Sequence, residues 1–134
     1  MTKKHIDNLT YSIIGCAIEV HKELGPGLLE SIYESCFIEE LTRKQLSYQS
    51  QVYVPLVYKG KALGAGLRLD VLVEDEIIVE LKAIDNIHPV HLAQLLTYTK
   101  LLEKPKGVVI NFNCTNIYKE GQKTMVNEWY SFLE

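Results

Sequence analysis

Arg68-Leu-Asp-Val-Leu-Val-Glu-Asp-Glu-Ile-Ile-Val-Glu-Leu-Lys-Ala83 is the stretch on which the fold turns. Two β-prone apolar runs flank three consecutive acids, the pattern of two short strands joined by a polar turn. If Glu74-Asp75-Glu76 form a three-residue loop, Val73 faces Ile77, Leu72 faces Ile78, Val71 faces Val79 and Asp70 faces Glu80. Residues directly opposed across a hairpin share a face, and so do residues two apart on one strand. Asp70, Glu80 and Lys82 are therefore expected to converge. Leu69, Val71, Val73, Ile77, Val79 and Leu81 are expected to make the other, apolar face. A two-residue loop would oppose Asp70 to Val79 and break both patterns. Two carboxylates beside an ammonium suit a hard divalent cation and a phosphodiester.

Upstream, Ile6, Leu9, Ile13, Ala17, Val20, His21 and Leu24 recur at helical spacing, with Asp7 or Asn8 available as a cap. Gly25-Pro26-Gly27 ends that helix, Gly25 being suited to the left-handed position. A second helix is expected from about Leu28 to Lys44 along Leu29, Ile32, Tyr33, Cys36, Phe37 and Leu41. Gln49–Tyr58 alternates like a strand, with Pro55 implying an unpaired side, and Lys59-Gly60-Lys61 is a turn. After the hairpin, Leu92, Leu95, Leu96, Thr99 and Leu102 predict a helix over about His88–Glu103. Gly107–Phe112 reads as a buried strand. A strand, a crossover helix and a strand imply a right-handed parallel connection. Ile117–Val126 is weakly patterned, and Glu128–Glu134 reads as a short docking helix or an interface. The order helix, helix, three strands, helix, strand describes an α/β layer with a mixed sheet.

One domain over 1–134 fits the length, and the 47% hydrophobic content supplies a core. A formal net charge of −3 gives no global attraction to nucleic acid or anionic membrane. No basic stretch interleaved with aromatics is evident, although lysines and Arg68 flank the hairpin and third helix as a local basic rim. Cys16, Cys36 and Cys114 lack paired spacing and read as reduced thiols. No signal-like or membrane-spanning run is present, so a cytoplasmic protein without a membrane partner is expected.

Asp70 followed by Glu80-Leu81-Lys82 resembles the signature of the PD-(D/E)XK nuclease superfamily, with Leu69 standing where the signature has proline. Gln94 and Tyr98 match the Gln-x-x-x-Tyr element of its exonuclease-like branch, and four residues apart they share a helix face. Gly27-Leu-Leu-Glu30-Ser-Ile-Tyr33 is similar to the motif of the GxxExxY proteins, with Val20-His21 and Leu24-Gly25-Pro26 agreeing around it. The resemblance implies a restriction-endonuclease-like three-layer α/β domain, a central mixed sheet flanked by helices. It implies phosphodiester hydrolysis of nucleic acid, usually DNA, with Mg²⁺ or Mn²⁺. Asp70, Glu80 and the Leu81 carbonyl would hold the ion, and Glu30 would complete its shell. Lys82 would orient water or offset charge in the transition state, while Gln94 and Tyr98 position substrate or Lys82.

Competing local readings exist. Glu30 near a helix start is favoured by the dipole alone, by about 0.3–1 kcal/mol, and Tyr33 reads first as packing. His21 reads as a satisfied core histidine, and His88 and His91 as surface or helix-start residues. Cys36 reads as packing. A second class of function is a non-catalytic binding or regulatory module on the same fold, motivated by small size and acidic charge. A homodimer is an option for embracing a duplex, which the sequence leaves open.

Overall fold

The computed structural model describes residues 1–64 and 66–134. Its first element is helix α1 (Lys3–Leu24), whose buried stripe is Ile6, Leu9, Ile13, Cys16, Ala17 and Val20. Thr2 caps it, accepting the His5 N–H at 3.0 Å. Asp7 and Asn8, the expected caps, lie inside the helix; Asp7 is instead engaged by Lys106 at 3.2 Å and by Tyr130 at 3.0 Å. The C-terminal stop is as expected, with Gly25 at φ 67°.

Helix α2 (Glu30–Arg43) begins two residues later than the apolar pattern suggested, with Leu29 as its N-cap. Glu30 is thus the first helical residue, and Gly27, at φ 101°, stands outside the helix. Tyr33, Phe37 and Leu41 are buried, whereas Leu29 and Ile32 are exposed. The segment expected as one strand is two, β1 (Tyr48–Tyr53) and β2 (Leu56–Tyr58), separated at Pro55. Among the described residues β2 pairs only with β3 (Lys61–Leu63), as a separate two-stranded hairpin.

β4 (Arg68–Val73) and β5 (Ile77–Lys82) pair in the expected register, Val71↔Val79, Leu72↔Ile78 and Val73↔Ile77. Glu74 and Asp75 take left-handed φ of 53° and 54° to close the loop. Helix α3 (Pro89–Leu101) crosses over to β6 (Lys106–Asn111), which runs parallel to β5. The weakly patterned segment holds helix α4 (Ile117–Glu120) and strand β7 (Gln122–Val126), and the tail holds helix α5 (Glu128–Ser131). The sheet order is β1-β4-β5-β6-β7, mixed because only β5–β6 is parallel. β1 lies at one edge, consistent with Pro55 following it.

Helices cover both faces. Val71, Val73, Ile77, Val79, Val108 and Ile110 pack with α1 and α2. Leu72, Ile78 and Val109 pack with Leu95 and Tyr98 of α3. The paired part of the hairpin is therefore apolar on both sides, and beyond the acidic loop its polar groups gather where β5 ends. Leu69 departs from the expected face: it belongs to the α3-side cluster, because alternation along β4 breaks at Asp70. Gly107 lets α3 sit directly on β6, since a Cβ there would stand 2.6 Å from the Leu95 side chain.

Candidate active site

A buried carboxylate is unfavourable unless its oxygens find donors. Glu80 is 5% exposed, and its Oε2 accepts the Asp70 N–H at 2.8 Å. Asp70 answers with Oδ2, which accepts the Leu81 N–H at 2.8 Å. Backbone pairing of β4 with β5 ends at Val71↔Val79, so the next rung is made by the two acidic side chains. The strands part, and each carboxylate substitutes for a ladder partner. The two carboxyl groups also meet each other, a side-chain contact that favours a proton on Glu80.

The charge balance follows. Burial first, then the Asp70 charge, pushes the Glu80 carboxyl up to about 8, against a smaller opposing pull from Lys82. Lys82, half-buried, is close enough to act on Glu80 and on His91. Its ammonium forms no hydrogen bond or ion pair among the described residues. Tyr98 is 5% exposed on the α3 side. Its hydroxyl is raised by burial, then by Glu80 and Asp70. Gln94, one turn earlier, is exposed and forms no hydrogen bond among the described residues. The structure therefore brings Tyr98 to the acids but leaves Gln94 at the surface.

On the α2 side Asp70 opens into a cleft of about 350 Å³ lined also by Glu30, Ser31, Glu34, Ser35, Gln51 and Leu81. Glu34 was missed by the sequence reading, although it stands one turn beyond Glu30 on the same helix face. Its carboxyl is raised by burial and then by the Asp70 charge, while a hydrogen bond from Gln51 works the other way. Gln51 was also missed. Its Nε2 donates to Glu34 Oε1 at 2.9 Å, and its backbone holds φ 53° in the middle of β1. That conformation costs a side-chain-bearing residue roughly 1–2 kcal/mol. Flanked by Ser50↔Val71 and Val52↔Leu69, Gln51 stands opposite Asp70. No spacing rule marks such a residue; only the strand register does.

Tyr33 packs, as expected, and does more. Its ring stacks on Phe112 with centroids 4.4 Å apart. Its hydroxyl donates to the Gly25 carbonyl at 2.6 Å and accepts the Leu28 N–H at 3.1 Å. It thereby pins the loop from which Glu30 enters α2. His88 and His91 are helix-start residues, the His88 N–H donating to His91 Nδ1 at 2.9 Å. His91 is lowered by burial, then by Lys82 and His88, with Glu30 opposing. His21 is half-buried rather than core, and is satisfied by the Cys114 carbonyl at 2.9 Å. The three cysteines are free, and burial pushes the Cys16 thiol up to about 11.

The donor set fits a hard divalent ion: two adjacent carboxyl groups offer oxygen donors, and the crowding of buried negative charge that keeps a proton on Glu80 is what a cation would relieve. Among the described residues no three His, Cys, Asp or Glu side chains are gathered tightly enough to hold an ion by themselves. Glu30 is exposed and lines the same cleft as Asp70.

The family model of the PD-(D/E)XK nuclease superfamily matches residues 7–125. The chain belongs to this superfamily. Its mixed sheet between helical layers is accordingly the restriction-endonuclease-like fold, and membership points to nucleic acid as the substrate class. Comparison with curated proteins and with solved structures gave no match. Among the described residues no helix is long and apolar enough to cross a membrane.

Proposed function

We propose that the protein is a metal-dependent nuclease that hydrolyses phosphodiester bonds, with DNA the first substrate to test, and that it falls in the GxxExxY branch through Gly27, Glu30 and Tyr33. Asp70 and Glu80 would hold Mg²⁺ or Mn²⁺ through their carboxyl oxygens, the ion displacing the proton of the pair, with the Leu81 carbonyl beside them and Glu30 or Glu34 reaching the shell through water. When bound, the ion supplies polarisation of the scissile phosphate and a more acidic water. The chain's own residues do the rest. The interlocked acids fix the ligand oxygens without waiting for substrate. Lys82 donates to the attacking water or to the phosphoryl oxygens as negative charge develops. Tyr98 backs Glu80 from the α3 side and excludes water there. Glu34, with its proton affinity raised, is placed to accept a proton from water in the cleft. Gln51 orients Glu34, and Gln94 meets substrate from the rim.

One observation carries this reading: Lys82 is half-buried beside two acids yet commits its ammonium to no structural partner among the described residues. The acids alone would serve a structural role, but the free lysine gains a purpose only with a phosphate or an activated water. The test is Mn²⁺ calorimetry and cleavage of single- and double-stranded DNA by wild type, Asp70→Asn and Lys82→Ala, each checked by circular dichroism. We expect saturable Mn²⁺ binding lost in Asp70→Asn but kept in Lys82→Ala, and cleavage lost in both. Cleavage that survives Asp70→Asn would place the activity elsewhere.

A further inference from the structure

The chain is acidic overall, but its charge is not evenly spread. Between Glu40 and Asp70 there is no acid at all, while Arg43, Lys44, Lys59, Lys61 and Arg68 fall in that interval. Part of it forms the β2–β3 hairpin, which among the described residues pairs with no strand of the main sheet. The register Tyr58↔Lys61 puts the Tyr58 ring and the Lys61 side chain on one face. Lys59 Nζ lies over the Tyr58 ring, 5.4 Å from its centroid. Tyr58 is 58% exposed. The tip thus presents an aromatic face between two cations; the sequence shows Lys59-Gly60-Lys61 as a turn, and the strand register adds Tyr58 to it.

The turn itself shows a preference set aside. Lys59 at φ 50° and Gly60 at φ 81° form a two-residue loop with both central residues left-handed. Asn or Asp followed by Gly suits that geometry best, yet lysine occupies it. The arm's root is fixed, Val54 being buried and its N–H donating to the Leu67 carbonyl at 2.9 Å. The adjacent pair is Tyr53↔Arg68, and Arg68 precedes Asp70 by two residues. The arm therefore leaves the sheet at the end where the acid pair sits. Asp70 lies nine residue steps after Lys61, a reach of at most about 30 Å at ~3.3 Å per residue. At ~3.4 Å per nucleotide that spans roughly nine nucleotides.

We propose that the β2–β3 hairpin is a substrate-gripping arm that takes a single-stranded stretch of nucleic acid within about nine nucleotides of the scissile bond. A base stacks on Tyr58, and neighbouring phosphates lie on Lys59 and Lys61. The proposal rests on the nuclease reading and adds to it where the substrate is held and in what form. Cations at the tip also give a net-acidic protein a local positive approach to a polyanion.

The test uses the full chain with Asp70→Asn, so that nothing is cut, and a fluorescein-labelled 20-nucleotide single strand read by anisotropy across a KCl series. A Lys59→Asn/Lys61→Gln double variant should weaken binding about tenfold and lower the salt slope by roughly 1.4, the value for two phosphate contacts on a single strand. Lys59→Asn suits the turn, so misfolding does not explain a loss. Tyr58→Ala should weaken binding about tenfold with the salt slope unchanged. In the otherwise wild-type chain, the same arm variants should slow cleavage of the 20-mer while hydrolysing bis(p-nitrophenyl) phosphate at the wild-type rate. Unaltered 20-mer binding by the arm variants would overturn the arm and leave the nuclease reading standing. Absence of both oligonucleotide binding and phosphodiester hydrolysis would remove both. Arm variants that change sedimentation instead of affinity would show the hairpin to be a contact between copies, which also overturns the proposal.

Discussion

The two walls that meet at Asp70 are built on opposite terms. On the α3 side Glu80 and Tyr98 are each 5% exposed and sit in close-packed surroundings. On the α2 side Glu30, Glu34 and Gln51 border an open cleft. The dry wall sets charge: with little water to solvate it, Glu80 holds its proton far above the ordinary carboxylate range. The wet wall offers access, since it is where water and a phosphate enter. Asp70 acts on both, perturbing Glu80 and Tyr98 on one side and Glu34 on the other. The division teaches that one acidic residue can be buried for its electrostatics while another of the same type stays reachable for proton traffic.

The largest effect should come from the residue shared by both walls. Asp70→Asn keeps an oxygen for the Leu81 N–H, so the chain should fold while cleavage falls on the order of 10²–10³-fold or more, read with Mn²⁺ in excess. Next is the anchor beneath the wet wall. Tyr33→Ala removes a buried ring stacked on Phe112 and should cost about 3–5 kcal/mol in urea unfolding. Tyr33→Phe loses only the hydroxyl that binds Gly25 and Leu28, about 1–3 kcal/mol, and should speed hydrogen exchange at Leu28. Equal costs for the two would mean the hydroxyl does not hold the loop.

The dry wall predicts a pH dependence. Folded Glu80 keeps its proton to about 8, while the unfolded chain releases it near the ordinary carboxylate value. Between those limits the folded state binds more protons, so stability of the metal-free protein falls as pH rises. Its contribution is complete below the unfolded pKa and gone above about 8. The urea midpoint of wild type should therefore decline from pH 5 to pH 8, and Glu80→Gln should flatten that decline; a parallel slope in both would locate the titration elsewhere. The smallest effect belongs to the wet wall. Glu34→Gln should lower kcat by roughly tenfold or less while leaving Mn²⁺ affinity near wild type, because water can replace a proton acceptor in an open cleft more readily than in a closed one. If Glu34→Gln and Glu80→Gln abolish Mn²⁺ binding alike, the two walls are one site and the contrast fails.

What could be read from the sequence follows the same division. The β4–β5 register was legible because period-two burial and loop length agree on one answer, and with it came Asp70 opposite Glu80. Leu69 was misassigned because the strand turns where Asp70 leaves the ladder, which no local pattern records. Strand β7 was not seen because Gln122, Lys123 and Thr124 sit at a sheet edge, where burial is too partial to leave an alternation. Glu34 escaped because a glutamate on a helix reads as solvated until the strand beside it is placed, and Gln51 because its φ reverses a strand rule. The buried wall writes itself into composition; the open wall is defined by geometry between segments.

The side-chain rung between β4 and β5 also bears on how such a site would be lost. Removing either acid takes a partner from a backbone N–H inside the sheet, so drift away from cleavage would meet a folding constraint at Asp70 and Glu80. Lys82 carries no such constraint. A lineage that abandoned the chemistry would keep the acid pair as architecture and let the lysine go first. In descendants of this chain, therefore, the lysine and not the paired acids is the record of whether catalysis is still under selection.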